Sequence, residues 1–134
     1  MSAKINYSIR ETKLEDLYQL NDIYFHITGI SRSYKEAKWE WFDAPYKRKT
    51  SWVILSGKKI VGHHGYIKIP LNIGNKKTLV ARTENSMLVK DFRNKIPYFS
   101  IENKLLIKNR NYFRLFVTTA GTGSQLQIRR RLGY

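Results

Sequence analysis

Apolar and polar residues alternate from Ile5 through Tyr7 to Ile9, with Asn6, Ser8 and Arg10 between them, and this period of two predicts a half-buried strand. The spacing then becomes helical. Leu17, Leu20, Tyr24 and Ile27 recur every three or four residues, Thr12 to Glu15 reads as a capping box in front of them, and Gly29 ends the run. Ser33 to Glu36 forms a second capping box and opens a short helix carrying Trp39 and Trp41; Pro45 closes it, because the residue before a proline avoids helical angles. Three strands follow in succession. Ser51 to Ser56 is a compact apolar run, Gly57 to Lys59 a turn, Ile60 to Leu71 a second strand, Asn72 to Lys77 another turn, and Thr78 to about Val89 the third strand.

Helical spacing returns after Pro97, whose missing amide is harmless in a first turn. Ile101, Leu105 and Lys108 share one face, and Leu106 and Ile107 widen it. Tyr112 to Thr118 alternates as a buried strand, Gly121 to Ser124 is a turn, and Ser124 to Leu132 makes a last helix capped by Gly133. The order strand, helix, helix, three strands, helix, strand, helix predicts an α+β fold. Consecutive strands pair antiparallel, the later strand-helix-strand segment makes one parallel crossover, and helices cover both faces of a mixed, mostly antiparallel sheet. No repeat or linker divides residues 1–134, which read as a single domain.

Composition narrows the chemistry. An apolar fraction of 42% with nine Tyr, six Phe and three Trp is enough for one core, and the absence of cysteine excludes disulfides and thiolate metal sites. His63 and His64 are neighbours on a strand, so they project to opposite faces and cannot ligate one metal; structural histidines are expected. Met1 to Arg10 has no secretory apolar core, and no run approaches the ~18 apolar residues of a membrane span, so a soluble cytoplasmic protein without a membrane partner is expected. The net charge of +15 predicts attraction to polyanions, with nucleic acid, a membrane surface and a phosphorylated coenzyme all compatible. Arg129, Arg130 and Arg131 spread over ~300° of a helix, so they present no single reading face and are expected to complement the helix C-terminus. Gly121 to Ser124 lacks the lysine and the spacing of a phosphate-binding P-loop.

Several stretches, taken in order and spacing, resemble the GCN5-related N-acetyltransferase family over nearly the whole chain. They are Tyr7-Ser-Ile-Arg10-Glu-Thr, Ile60-Val-Gly62-His-His-Gly65, Met87-Leu-Val-Lys-Asp-Phe-Arg93-Asn-Lys95 and the closing Leu132-Gly133-Tyr134. The resemblance implies an acyl-CoA N-acyltransferase fold and transfer of an acetyl group from acetyl-CoA to a small-molecule or sugar amine. It also implies that the fourth and fifth strands splay, so that Met87, Leu88 and Val89 offer backbone to the pantetheine arm. Arg93, Asn94 and Lys95, in the loop before the third helix, would hold the pyrophosphate through amides and the helix N-terminus. Ile96 and Tyr98 stand where relatives have glycine or a small residue, so side chains there are expected to crowd the phosphates, and Pro97 removes one donor.

Glu84 is the carboxylate the resemblance places as general base, its plain alternative being an ion pair with Arg82. Arg129 stands at the position where relatives carry a tyrosine acid. Trp39 and Trp41 are expected in the core or an interface, with pocket lining as the alternative. The family continues into two further strands, and the sequence ends at Tyr134, so an exposed edge, the fifth strand, is expected to be open to a second copy of the chain. A basic nucleic-acid-binding module and a non-catalytic interaction domain are the alternative readings.

Overall fold

The computed structural model describes residues 5–46, 49–119 and 123–134. Its elements are β1 (Ser8–Glu11), α1 (Leu17–Thr28), α2 (Tyr34–Lys38), β2 (Ser51–Ser56), β3 (Lys59–Ile73), β4 (Lys76–Leu88), α3 (Tyr98–Asn109), β5 (Phe116–Val117) and α4 (Gly123–Leu132). The five strands form one sheet in the order β1-β2-β3-β4-β5; β1 to β4 pair antiparallel and β5 runs parallel to β4 after the α3 crossover. The α+β order and the mixed sheet expected from the hydrophobic pattern are both present.

Because side chains alternate along a strand, β2 feeds two cores. Trp52 and Ile54 face Val61, Tyr66, Ala81 and, from α3, Ile101 and Leu105. Val53 and Leu55 face Leu17, Leu20 and Ile23 of α1 together with Trp41 and Met87. The indole of Trp41 packs against β3 at Gly65, where an added Cβ would come within 2.3 Å of the ring, so this position requires glycine. Among the described residues no helix is long and apolar enough to cross a membrane.

Four local expectations are corrected. β1 begins at Ser8 rather than Ile5, because its ladder starts where Ser8 meets Leu55 near the end of β2. The cap before α1 is not Thr12 with Glu15: the Thr12 hydroxyl bonds Ser51 Oγ at 2.6 Å, while Asp16 accepts the Lys13 amide at 2.7 Å and grips Arg10 with both oxygens. Tertiary partners outcompete the local cap. Residues 112–118 form only a two-residue strand; Phe113 reaches the core from a turn in which its amide and that of Tyr112 bond the Asn109 carbonyl. The buried stripe of α3 is Ile101, Glu102, Leu105 and Asn109, whereas Ile107 is exposed and Lys108 faces solvent.

The Ser33 box forms as expected, with Ser33 Oγ accepting the Glu36 amide at 3.2 Å and Glu36 accepting the Ser33 amide at 2.6 Å. It is followed by a wide π-helical turn over Trp39–Asp43 that separates the two indoles: Trp41 is buried and Trp39 is 61% exposed. Of the turn expected at Gly121 to Ser124, Gly121 and Thr122 lie outside the described residues, and Gly123 and Ser124 already open α4.

Candidate active site

The sheet opens at the end of β4. β5 pairs with β4 only at Ala81–Phe116 and Arg82–Val117, and among the described residues no β4–β5 pair forms beyond them. From Thr83 onward the side of β4 away from β3 is therefore without a neighbouring strand. A cavity of about 250 Å³ fills that gap, lined by Tyr24, Ile27 and Thr28 of α1, Thr83 to Met87 of β4, Thr119 and Arg129 of α4. Since α1 and α4 cover opposite faces, the cavity runs through the sheet where the strands part.

A bulge shapes the β4 wall. His63 pairs with Met87 and Gly65 with Glu84, so Asn85 and Ser86 together oppose His64, and Asn85 adopts φ +50°. Asn tolerates that left-handed angle better than most residues. The Asn85 carbonyl is held by His63 Nδ1 at 2.8 Å. A carbonyl only accepts, so Nδ1 carries the proton and Nε2 accepts from Ser51 Oγ at 2.8 Å, which in turn accepts from Thr12 at 2.6 Å. Burial keeps the ring neutral by pushing its pKa down to about 4. The neighbouring His64 points to the other face, as expected, and Nδ1 meets the Tyr98 hydroxyl at 2.9 Å; burial drives this imidazole down to about 3.

On the α3–α4 face the cavity is bounded by charge. Arg129 Nη2 donates to Ser86 Oγ at 2.9 Å and Nε lies 3.4 Å from Glu102 Oε1. The hydroxyls of Tyr66, Thr83 and Tyr134 gather beside Glu102 without a well-formed hydrogen bond, and burial raises the Glu102 carboxyl above its ordinary range and pushes Tyr134 up to about 12. On the α1–α2 face a second cavity of about 430 Å³ is lined by Arg32, Lys35, Glu36, Trp39, Glu40 and Ile67. Arg32 donates to Glu40 at 2.6 Å and to Asn21 at 3.0 Å with its guanidinium 4.5 Å above the Tyr24 ring. Asn85 Nδ2 reaches Glu40 at 3.4 Å, which links the two cavities, and burial raises the Glu40 carboxyl.

The residues singled out from the sequence fall around this opening. Glu84 lines the smaller cavity and pairs with Arg82 at 2.9 Å. Met87 and Leu88 are buried and Val89 is half-buried, its amide still bonded to Val61 O at 2.8 Å. Arg93, Asn94 and Lys95 are exposed in the turn before α3, and Arg93 Nε donates to Leu88 O at 3.0 Å. The side chains of Ile96 and Tyr98 turn toward the protein interior. Ile96 is buried in the core, and the Tyr98 ring turns inward so that its hydroxyl donates to the His63 carbonyl at 3.1 Å. The turn instead uses its own donors: the amides of Arg93, Lys95, Ile96 and Tyr98 bond carbonyls at Lys90, Phe92, Phe92 and Ile96. Among the described residues the amides of Asn94 and Phe99 have no backbone acceptor.

No protein-family model matches the chain, and no curated protein matches it either. Solved structures do. A transcriptional regulator from Bacillus halodurans is 19% identical with TM-score 0.75, the match covering 96% of this chain and 93% of that one. A predicted acetyltransferase from Clostridium acetobutylicum, solved with acetyl-CoA, is 14% identical with TM-score 0.74 over 96% and 90% of the two chains. The fold is that of the GCN5-related N-acetyltransferases. Glucosamine-6-phosphate N-acetyltransferase from Arabidopsis thaliana shares it at 14% identity and TM-score 0.73, over 96% of this chain and 91% of that chain.

Within this N-acetyltransferase fold, sequence reasoning missed Glu40, Asn85, Ser86 and Glu102. One of them left a readable signal. Glu102 follows Ile101 and precedes Leu105 on the apolar stripe of α3, and a carboxylate inside such a stripe calls for a buried cation. The other three are brought together only by the bulge and by the packing of the π turn.

Proposed function

We propose that the chain is an acetyl-CoA-dependent N-acetyltransferase for a small-molecule amine, an amino sugar being the acceptor class that fits best. The observation that carries this reading is the end of β4–β5 pairing after Arg82, which leaves Thr83 to Met87 lining a cavity where the strands part. An extended pantetheine arm requires an unpaired strand edge of this kind. For the diphosphate, α3 offers a 12-residue helix with no side-chain N-cap and no acidic residue in its first turn, flanked by exposed Lys90, Arg93 and Lys95. Free amides at Asn94 and Phe99 with the helix dipole and these cations suit an anion.

Acetyl-CoA would supply the activated acyl group. Glu84, on the cavity wall, is the proposed base that takes the proton from the acceptor ammonium, and Glu40, across Asn85, adds negative charge to attract that ammonium. The larger cavity supports the acceptor assignment. The exposed Trp39 indole gives a flat apolar face for a sugar ring, with Arg32 and Lys35 beside it for an anionic substituent. Isothermal titration of the chain with coenzyme A tests the reading: saturable heat that weakens when Lys90, Arg93 and Lys95 are replaced by Ala is the expected result, and no heat at millimolar ligand overturns it.

A further inference from the structure

Arg129 is the one cation that the cavity between the parted strands receives from α4. It is 7% exposed, so it has been taken out of water and held in place rather than left on the surface. Two of its nitrogens are assigned, Nε toward Glu102 on α3 and Nη2 to Ser86 Oγ on the β4 bulge. Among the described residues Nη1 has no partner. Anchoring on both sides fixes the plane of the guanidinium at the mouth of the gap and leaves donor capacity for something that is not protein.

We infer that Arg129 holds the sulfur of the coenzyme as a thiolate when the acyl group leaves. The inference rests on the acetyl-CoA reading above and deepens it. In the transfer the acceptor nitrogen bonds to the acetyl carbon, the carbon–sulfur bond breaks, and its electron pair stays on sulfur. Two protons leave the nitrogen: Glu84 takes the first from the ammonium and passes it to water before attack, and the second follows the same route to water as the amide forms. A guanidinium does not give up its proton at any ordinary pH, so Arg129 acts by fixed charge and not as a general acid. The thiolate then leaves the site unprotonated and meets its proton in solvent.

The field at this point comes from few groups. His64 on β3 is neutral, Tyr98 at the start of α3 and Tyr134 are kept protonated by burial, and Tyr24 of α1 and Thr83 and Ser86 of β4 carry no charge. Glu84 faces the same cavity but is paired with Arg82. Glu102 is thus the group that offsets Arg129, and the two should have opposite effects on the sulfur.

The test reads the sulfur without any acceptor. Coenzyme A is bound to the full chain and the ultraviolet absorbance of its thiolate is followed against pH. The bound thiol should titrate about 1–3 units below free coenzyme A, as an acid beside a fixed cation does. Arg129→Gln should return it toward the free value, and Glu102→Gln should move it further down. Should Arg129→Gln fail to fold because it strands the buried carboxylate, the double variant Arg129→Gln with Glu102→Gln supplies the comparison. Wild-type chain that binds coenzyme A with a thiol titrating as in free solution, or an Arg129→Gln shift of zero, overturns the inference and leaves the proposed function standing. Absence of coenzyme A binding by the wild type removes both.

Discussion

Two Arg–Glu pairs lie on opposite faces of the sheet, one between residues two apart on β4 and the other between α3 and α4, and they differ sharply in burial. The side chains of Arg82 and Glu84 are 35% and 30% exposed and approach to 2.9 Å, whereas those of Arg129 and Glu102 are 9% and 2% exposed and approach to 3.4 Å. The tighter contact is the weaker structural element. Exposed pairs contribute about 0–1 kcal/mol because water competes for both ions, while a buried pair constrains the fold through the cost of leaving either ion alone. Under the proposed function, the outer pair can exchange its partner for a substrate ammonium, and the inner pair is suited to hold a fixed charge.

The largest effect expected is on the inner pair. Arg129→Ala should lower stability by about 3–5 kcal/mol, read from urea denaturation midpoints, and Arg129→Leu combined with Glu102→Met should recover most of it. Equal losses from the Arg82 and Arg129 truncations would break the distinction. Gly65→Ala comes next, at about 1–3 kcal/mol, because the new methyl drives the Trp41 ring off β3; the near-ultraviolet circular dichroism of Trp41 should change with it.

The two histidines sharpen the comparison through pH. Their folded pKa values, about 4 for His63 and about 3 for His64, lie below the ordinary value of 6.5. The unfolded chain thus binds more protons in between, so stability is full above pH 6.5 and is lost as pH falls toward the folded values. Each ring should contribute a slope of about 1.4 kcal/mol per pH unit, and His63→Gln should remove one of the two in midpoints measured from pH 7 to 4.5. The smallest structural effect belongs to Glu84→Gln, which should cost under about 1 kcal/mol yet reduce acetyl transfer by about 10²-fold or more, separating chemistry from stability in one variant.

What could be read from the sequence was whatever local rules decide. Ser51–Ser56 needs no context, since six consecutive strand-forming or small residues end at a glycine turn, and the Ser33 and Glu36 side chains serve amides within three residues of themselves. The parting of β4 from β5 followed from the resemblance and is present. Longer-range choices were not legible. Thr12 abandons its local cap for Ser51, Phe113 reaches the core from a turn, and the bulge that brings Asn85 toward Glu40 is created by a register shift against His63 and Gly65. The turn before α3 shows the same dependence on distant partners. The sequence marks Ile96 and Tyr98 as bulky residues in this turn, but their directions depend on the core that receives Ile96 and on the bonds of the Tyr98 hydroxyl to His63 and His64.

β3 and β4 run well past their outer neighbours. β2 meets β3 no further than Gly65 and β5 touches β4 only at Ala81 and Arg82, so Pro70 to Lys77 projects as a two-stranded ribbon turning at Gly74, with every residue of it exposed. Such a ribbon is at most marginally stable alone and should open many times for each opening of the sheet from which it grows. Amides along a single strand would then exchange with solvent on two timescales. Its tip, remote from the parted strands, is where a fluorophore or an epitope loop can be grafted to follow coenzyme binding without touching the site.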